Sequence, residues 1–360
     1  MDFAVPPFVL EAINQRMTHP TLGYTVTPPA LEEAFVQWCL DRFNWKVDPD
    51  WLVWVHGVVP GLNLAVSSIG NTLDRILVPV PVYPPFFNLA INHQRTLLTS
   101  QLIRECNRWV MDTDELSNLA TQASCIAICN PQNPTGRIYT ETELRELAEL
   151  CVQTDTVLIS DEIHWGLTLD SKTPHTPIAS LEPEYAQNTI TLISHTKAYN
   201  IPGLQVAVAI IPNPEIKARF EEIQSKLFGS ISPLSYAAAL AAYTDMSPWL
   251  EQLNRYLCGN RDLLQEAVES TGNLTMTDVE GTYLGWIDAS ALPVKDPHAY
   301  FEAHGLGLSP GQDFGMEQFV RFNFAAPRTL VEIGIERLLS GANCATSTEP
   351  SVETYLPDPP

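Results

Sequence analysis

The chain has 360 residues, 45% of them hydrophobic, with 42 acidic against 20 basic side chains and a net charge of −22. That length exceeds the size at which one core stops growing, so two domains are expected. The acidity leaves no basic stretch to neutralise phosphates, which argues against a nucleic-acid or anionic-membrane partner, and no apolar run approaches the length of a membrane span.

The N-terminal segment Met1-Asp2-Phe3-Ala4-Val5-Pro6-Pro7 has neither a basic nor an apolar leader region. Apolar positions Val9, Ala12, Ile13 and Met17 predict a helix from Phe8 to Met17, and a second runs from Ala30 to Phe43. Tyr24 lies between them on a polar loop. A short strand from Trp51 to Val55 ends at His56-Gly57-Val58-Val59-Pro60-Gly61, ahead of a helix from Leu62 to Gly70. A strand, a glycine turn and a helix N-terminus offer exposed N–H groups to an anion. The strand from Arg75 to Pro79 leads into Val80-Pro81-Val82-Tyr83-Pro84-Pro85-Phe86-Phe87, whose prolines preclude regular structure and hold Tyr83 on a rigid loop. Tyr83 there either stacks on a planar ligand or staples the surface.

A strand from Ala123 to Cys129 runs into Asn130-Pro131-Gln132-Asn133-Pro134-Thr135-Gly136, followed by a helix from Thr140 to Gln153 with a hydroxyl N-cap. The next strand, Thr156 to Ser160, ends in Asp161-Glu162-Ile163-His164. Cys125 and Cys129 are core residues, and seven cysteines without a CxxC pair read as reduced thiols of a cytoplasmic protein. Strands alternating with helices imply a parallel sheet covered on both faces, with ligands at the carboxyl ends of its strands. Gly57, Asn133, Asp161 and the segment Ser194 to Lys197 all fall at such ends.

Lys197 lies between two buried strands, Thr189 to Ile193 and Val206 to Ile211, in Ser194-His195-Thr196-Lys197-Ala198-Tyr199-Asn200. Hydroxyls at Ser194 and Thr196 beside a lysine suit an amine that forms a Schiff base next to a bound phosphate. Asp161 closes an apolar strand, where a carboxylate is costly unless paired. His164 either bonds a ligand or is a satisfied surface histidine. Helices follow from Ile216 to Phe228, from Pro233 to Tyr243 and from Pro248 to Thr271. The α+β remainder has strands near Leu274 to Thr277, Tyr283 to Ile287 and Phe319 to Phe324 and helices around Ala299 and Leu330. The expected division is a large domain over 19–255, a small one from 1–18 and 256–343, and a disordered tail over 344–360.

The segments Met1-Asp2-Phe3-Ala4, Gly23-Tyr24, Gly57-Val58-Val59, Pro81-Val82-Tyr83, Asn130 to Gly136, Asp161 to His164, Ser194 to Gly203, Gly281 to Leu284, Gly307 to Gly311 and Arg321 to Phe324 resemble the MalY/PatB-type cystathionine β-lyase (cysteine C-S lyase) branch of the class I/II aminotransferases. The resemblance implies the α/β architecture of the pyridoxal 5'-phosphate (PLP) dependent transferases of fold type I, a mostly parallel central sheet in a large domain with a smaller α+β domain. It makes Lys197 the Schiff-base lysine and Asp161 the partner of the pyridine nitrogen. Asn133 becomes a donor to the phenolic oxygen, with His164 nearby, and Tyr83 stacks on the ring. Gly57, Val58, Val59, Ser194 and Thr196 hold the phosphate, and Tyr24 reaches the phosphate of a neighbouring subunit in a homodimer with shared sites. Arg321, with Asn133, binds the carboxylate of an amino-acid substrate, unless it is an arginine on a strand edge in a surface ion pair.

The activity this implies is β-elimination from L-cystathionine or a related L-cysteine conjugate, with Lys197, Asp161 and Tyr83 as catalytic groups. Many aminotransferases carry an arginine eight residues after the lysine; here that residue is Gln205, and the loss of the arginine is similar to what the lyase branch shows. An aminotransferase of amino acids is the alternative, since it needs the same lysine, aspartate and carboxylate clamp. A non-catalytic regulator on the same fold is a third reading.

Overall fold

Alternation within the strands sets the layers of the fold. In the computed structural model, which describes residues 1–71, 73–170 and 172–346, the strand Cys125–Cys129 sends Ile126 and Ile128 into one apolar cluster and Ala127 and Cys129 into another. Successive side chains of a strand point to opposite faces, so a strand buried throughout feeds two cores at once. One cluster gathers Leu62, Val66, Phe86 and Phe220 from covering helices, the other Leu116, Leu144 and Leu147.

Eight strands form the main sheet: β1 (Leu52–Val55), β2 (Arg75–Val80), β3 (Thr96–Glu105), β4 (Arg108–Met111), β5 (Cys125–Cys129), β6 (Val157–Asp161), β7 (Thr189–Ile193) and β8 (Ala207–Ile210). Their order is β1-β8-β7-β6-β5-β2-β3-β4. Strands β3, β2, β5, β6 and β7 are parallel. β8 runs antiparallel to both neighbours and β4 antiparallel to β3. Because β1 and β7 both oppose β8, their carboxyl ends share one edge of the sheet. The mostly parallel sheet matches expectation; the reversed strand is the one that follows Lys197, and the β3–β4 hairpin was not anticipated.

A second, antiparallel sheet joins β9 (Thr275–Met276), β10 (Leu284–Asp288), β11 (Ser309–Pro310) and β12 (Phe319–Asn323) in the order β11-β12-β10-β9. The helices Pro297–Ala303 and Arg328–Thr346 pack on it and on the long helix Trp249–Thr271.

Three expectations need correction. The helix after β1 spans Val58–Ser68, not 62–70: Pro60 falls in its first turn, where a missing N–H costs nothing. Pro84 and Pro85 do not exclude regular structure; they cap and begin the helix Pro85–Asn92, taking in Phe86 and Phe87. The last helix carries residues 344–346 of the segment expected to be disordered, and the rest of that tail lies outside the described residues.

The loop after β5 is clamped to the segment leading into β10. Gly136 (φ 72°) accepts at its carbonyl from the N–H groups of Glu280 (2.9 Å) and Gly281 (2.8 Å), and a Cβ at residue 136 would lie 2.7 Å from Val279. The buried Glu280 carboxylate accepts from Arg137 Nη1 (2.6 Å), from the Ile138 N–H (2.9 Å) and from Arg108. Among the described residues no helix is long and apolar enough to cross a membrane, and no group of three or more His, Cys, Asp and Glu side chains is placed to hold a metal.

Candidate active site

A cavity of about 630 Å³ opens at the edge where β1, β5, β6 and β7 end, walled on its far side by β10 and β12. Its charged side chains are Lys197, Arg321 and Asp161. Two cations against one carboxylate make it a positive spot in a chain of net charge −22, which favours an anionic ligand.

Each side chain is placed by a specific local device. Gly57 caps the helix Val58–Ser68 at φ 112°, a backbone conformation glycine alone adopts at no steric cost. No side chain caps that end, so the Val58 and Val59 N–H groups and the helix dipole are left for an anion. Asp161, the last residue of β6, is 3% exposed. Its carboxylate accepts from the Ile163 N–H at 3.0 Å and has no cation in ion-pair contact among the described residues. Burial pushes its carboxyl up to about 7, a lone buried carboxylate waiting for a positive partner.

Lys197 follows β7. Burial holds its ammonium below the ordinary lysine range, Asp161 opposes that shift and Arg321 adds to it. Thr196 lines the cavity beside it. Ser194 does not: its hydroxyl donates to the Val206 carbonyl at 2.7 Å and meets Thr196 Oγ1 at 2.8 Å, so it braces Thr196 from behind the wall.

Arg321 stands on β12, its guanidinium 4.5 Å from the centroid of the Phe314 ring. Nη1 donates to Asn133 Oδ1 at 2.8 Å and Nη2 to Ser309 Oγ at 3.1 Å, and Nε has no partner. Five donors less two bonds leave the fork able to take a carboxylate. It is not in a surface ion pair. His164 is buried with Nδ1 unpartnered, and burial drives its imidazole down to about 3, so it is neutral. Tyr83 lines the cavity half-buried, its hydroxyl held above the usual phenol range chiefly by burial.

Of the residues singled out in the sequence, Gly57, Val58, Val59, Tyr83, Asn133, Asp161, His164, Thr196, Lys197 and Arg321 meet at this cavity. Tyr24 does not; it is 97% exposed on its loop. Sequence reasoning gave no role to Tyr283, Asn323 or His56, which also line the wall. Tyr283 meets His164 edge to face at 5.9 Å, and His56 stacks on Phe228 at 5.3 Å. Tyr283 lies within a segment quoted for the resemblance, and His56 immediately precedes Gly57; position beside those motifs was the only signal for either.

Comparison with known proteins agrees across the chain. The family model for aminotransferase class I and II matches residues 1–338. Cystathionine beta-lyase PatB of Bacillus subtilis (strain 168) is 32% identical over 348 residues, covering 94% of this chain and 89% of that protein. Among solved structures, OvoB superposes with a TM-score of 0.92 at 39% identity, covering 96% of this chain and 91% of its own. The PLP-bound C-S lyase of Staphylococcus hominis, complexed with L-cycloserine, superposes at 0.89 with 32% identity, covering 95% and 86%.

Proposed function

The chain belongs to the aminotransferase class I and II family, and on that premise we infer that it is a PLP-dependent carbon–sulfur β-lyase, cleaving L-cystathionine or a related L-cysteine conjugate to a thiol, pyruvate and ammonia. The observation that carries this reading is the convergence of Lys197, the unpaired Asp161 carboxylate and the Arg321 fork on one cavity. Gln205 on the cavity wall, where many aminotransferases carry an arginine, favours elimination over transamination.

The residues fit the cofactor. The Val58 and Val59 N–H groups and the Thr196 hydroxyl would hold its phosphate, with Ser194 bracing Thr196. Asp161 would face its ring nitrogen, which supplies the missing cation, and Tyr83 would pack against the ring. His164, neutral, and Asn133 would offer hydrogen bonds to the ring oxygen. When bound, PLP supplies a carbonyl carbon for amines and a protonated ring that accepts electron density from a substrate Cα.

The chain's own groups then divide the work. Arg321 orients the substrate by its carboxylate. Lys197, its ammonium held below the ordinary lysine range chiefly by burial, would remove the Cα proton and hold it at Nζ, while Asp161 would keep the ring nitrogen protonated. The C–S bond breaks as its electron pair leaves with sulfur, and hydrolysis of the remaining three-carbon fragment gives pyruvate and ammonia.

We further assign a homodimer with shared sites. Tyr24, Val26 (82% exposed) and Leu22 (54% exposed) crowd one loop, an apolar surface that a second subunit would cover. The proposed domain division is residues 19–255 against 1–18 and 256–346, the last helix carrying the smaller domain through Thr346. Seven cysteines without a disulfide suit a cytoplasmic location. The deciding experiment is product analysis with L-cystathionine. Pyruvate formed without added keto acid is the expected result; turnover that depends on a keto acid would make the enzyme an aminotransferase.

A further inference from the structure

A second cavity, of about 590 Å³, shares no lining residue with the first and falls within the roughly 300–1,000 Å³ of small-molecule sites. It lies between the helix Pro29–Phe43 and the segments around 165–175 and 243–246. Its walls are aromatic: Trp38 meets Trp165 at 4.6 Å and Tyr243 at 5.0 Å, and Phe43 meets His175 at 5.7 Å. Trp165 is 1% exposed, and its indole N–H donates to the Ser194 carbonyl at 2.8 Å, so this shelf is formed before any ligand arrives.

Three charged side chains line this cavity: Asp41, whose carboxylate accepts from Gln37 Nε2 at 2.7 Å, and Arg42 and Asp245, which do not meet. Arg42 lies 4.9 Å over the Trp165 ring and makes no hydrogen bond or ion pair among the described residues. Asp245 accepts from the Ser247 N–H (2.8 Å) and hydroxyl (3.1 Å) and has no cationic partner among the described residues. Both act on the Tyr199 phenol, which burial pushes up to about 12, with Asp245 adding to the shift and Arg42 opposing it. A guanidinium and a carboxylate that line one cavity without pairing match a ligand that carries both complementary charges.

We propose that this cavity binds an α-amino acid with a flat aromatic side chain, its carboxylate on Arg42, its ammonium on Asp245 and its ring against Trp38 and Phe43. Aromatic packing supplies contact area, and the two charges select the zwitterion over either singly charged analogue. The proposal does not depend on the reading of the Lys197 cavity.

The test is equilibrium dialysis of L-phenylalanine against the cofactor-loaded protein, its Arg42→Met, Asp245→Asn and Arg321→Met variants, with N-acetyl-L-phenylalanine and L-phenylalaninamide as probes lacking one charge each. Expected is saturable binding that survives Arg321→Met and weakens roughly tenfold or more in Arg42→Met, in Asp245→Asn and for both capped probes. Should Arg42→Met lose the wild-type circular dichroism spectrum, Asp245→Asn and the capped probes decide. No saturation at millimolar concentration, equal affinity for the capped probes, or binding abolished by Arg321→Met but intact in Asp245→Asn would each overturn the proposal.

Discussion

Arg321 donates from Nη1 to the Asn133 side-chain oxygen at 2.8 Å, so a single hydrogen bond joins β12 of the smaller sheet to the loop beyond β5 of the larger. The bond also fixes the plane of the guanidinium, which a bidentate contact to a carboxylate requires. A lysine would keep the charge but lose the fork. Arg321→Lys is therefore predicted to lower kcat/KM for L-cystathionine by roughly ten- to a hundredfold while the visible cofactor absorbance is retained. Unchanged kinetics, or cofactor lost in step with activity, would remove Arg321 from the substrate site.

For Lys197 the prediction is spectroscopic. The purified protein should be yellow, with a visible band that borohydride abolishes, and Lys197→Ala should lose both band and turnover. Full activity in that variant would contradict the assignment.

Asp161 gives a dependence on pH in the cofactor-free protein. Its carboxyl titrates near 7 when folded and near about 4 when unfolded, so over that interval the folded state binds more protons. The sign of the linkage is then negative: stability falls as pH rises from about 4 to about 7. Apo-protein melting temperatures should show this slope, and Asp161→Asn should flatten it. Identical slopes in the two proteins would mean that Asp161 does not titrate as its burial implies.

Glu280 is a structural counterpart. Removing its carboxylate leaves Arg137, which is 2% exposed, with Glu143 as its remaining acidic partner at 2.8 Å, and leaves the Ile138 N–H unsatisfied. Glu280→Ala should cost about 2–4 kcal/mol in denaturant unfolding. A loss below about 1 kcal/mol would place this cluster among weak surface pairs.

The assignment of Tyr24 to a neighbouring subunit predicts a dimer in sedimentation at micromolar concentration. Tyr24→Ala should release cofactor more readily, by roughly tenfold in dissociation constant, with the dimer intact. A fully active monomer would refute the shared site.

The site was legible where its chemistry coincided with a strand end. Asp161 and Lys197 each follow a β-branched, apolar run, and that punctuation is visible along the chain. Less visible was anything fixed by tertiary contact. The β3–β4 hairpin is only partly buried, so its hydrophobic pattern is diluted. Proline misled at residues 84 and 85 because its helix-breaking tendency does not apply to a helix's first turn. Phe314 beneath Arg321, and the turning of Ser194 toward Val206, depend on residues distant in sequence or on which way a hydroxyl points. Neither leaves a mark in composition or periodicity.

The position of β1 at the end of the sheet also bears on how the protein is made. Among the described residues, β1 has β8 as its only neighbour in the sheet. On a ribosome, the strand that carries Gly57 therefore waits for residues 207–210 to be synthesised before it can pair, and Arg321 emerges more than a hundred residues later still. The anion-binding turn at Gly57 and the fork at Arg321 cannot enclose a cavity until residue 321 has been made, which places cofactor capture after more than 250 further residues have followed Gly57 off the ribosome.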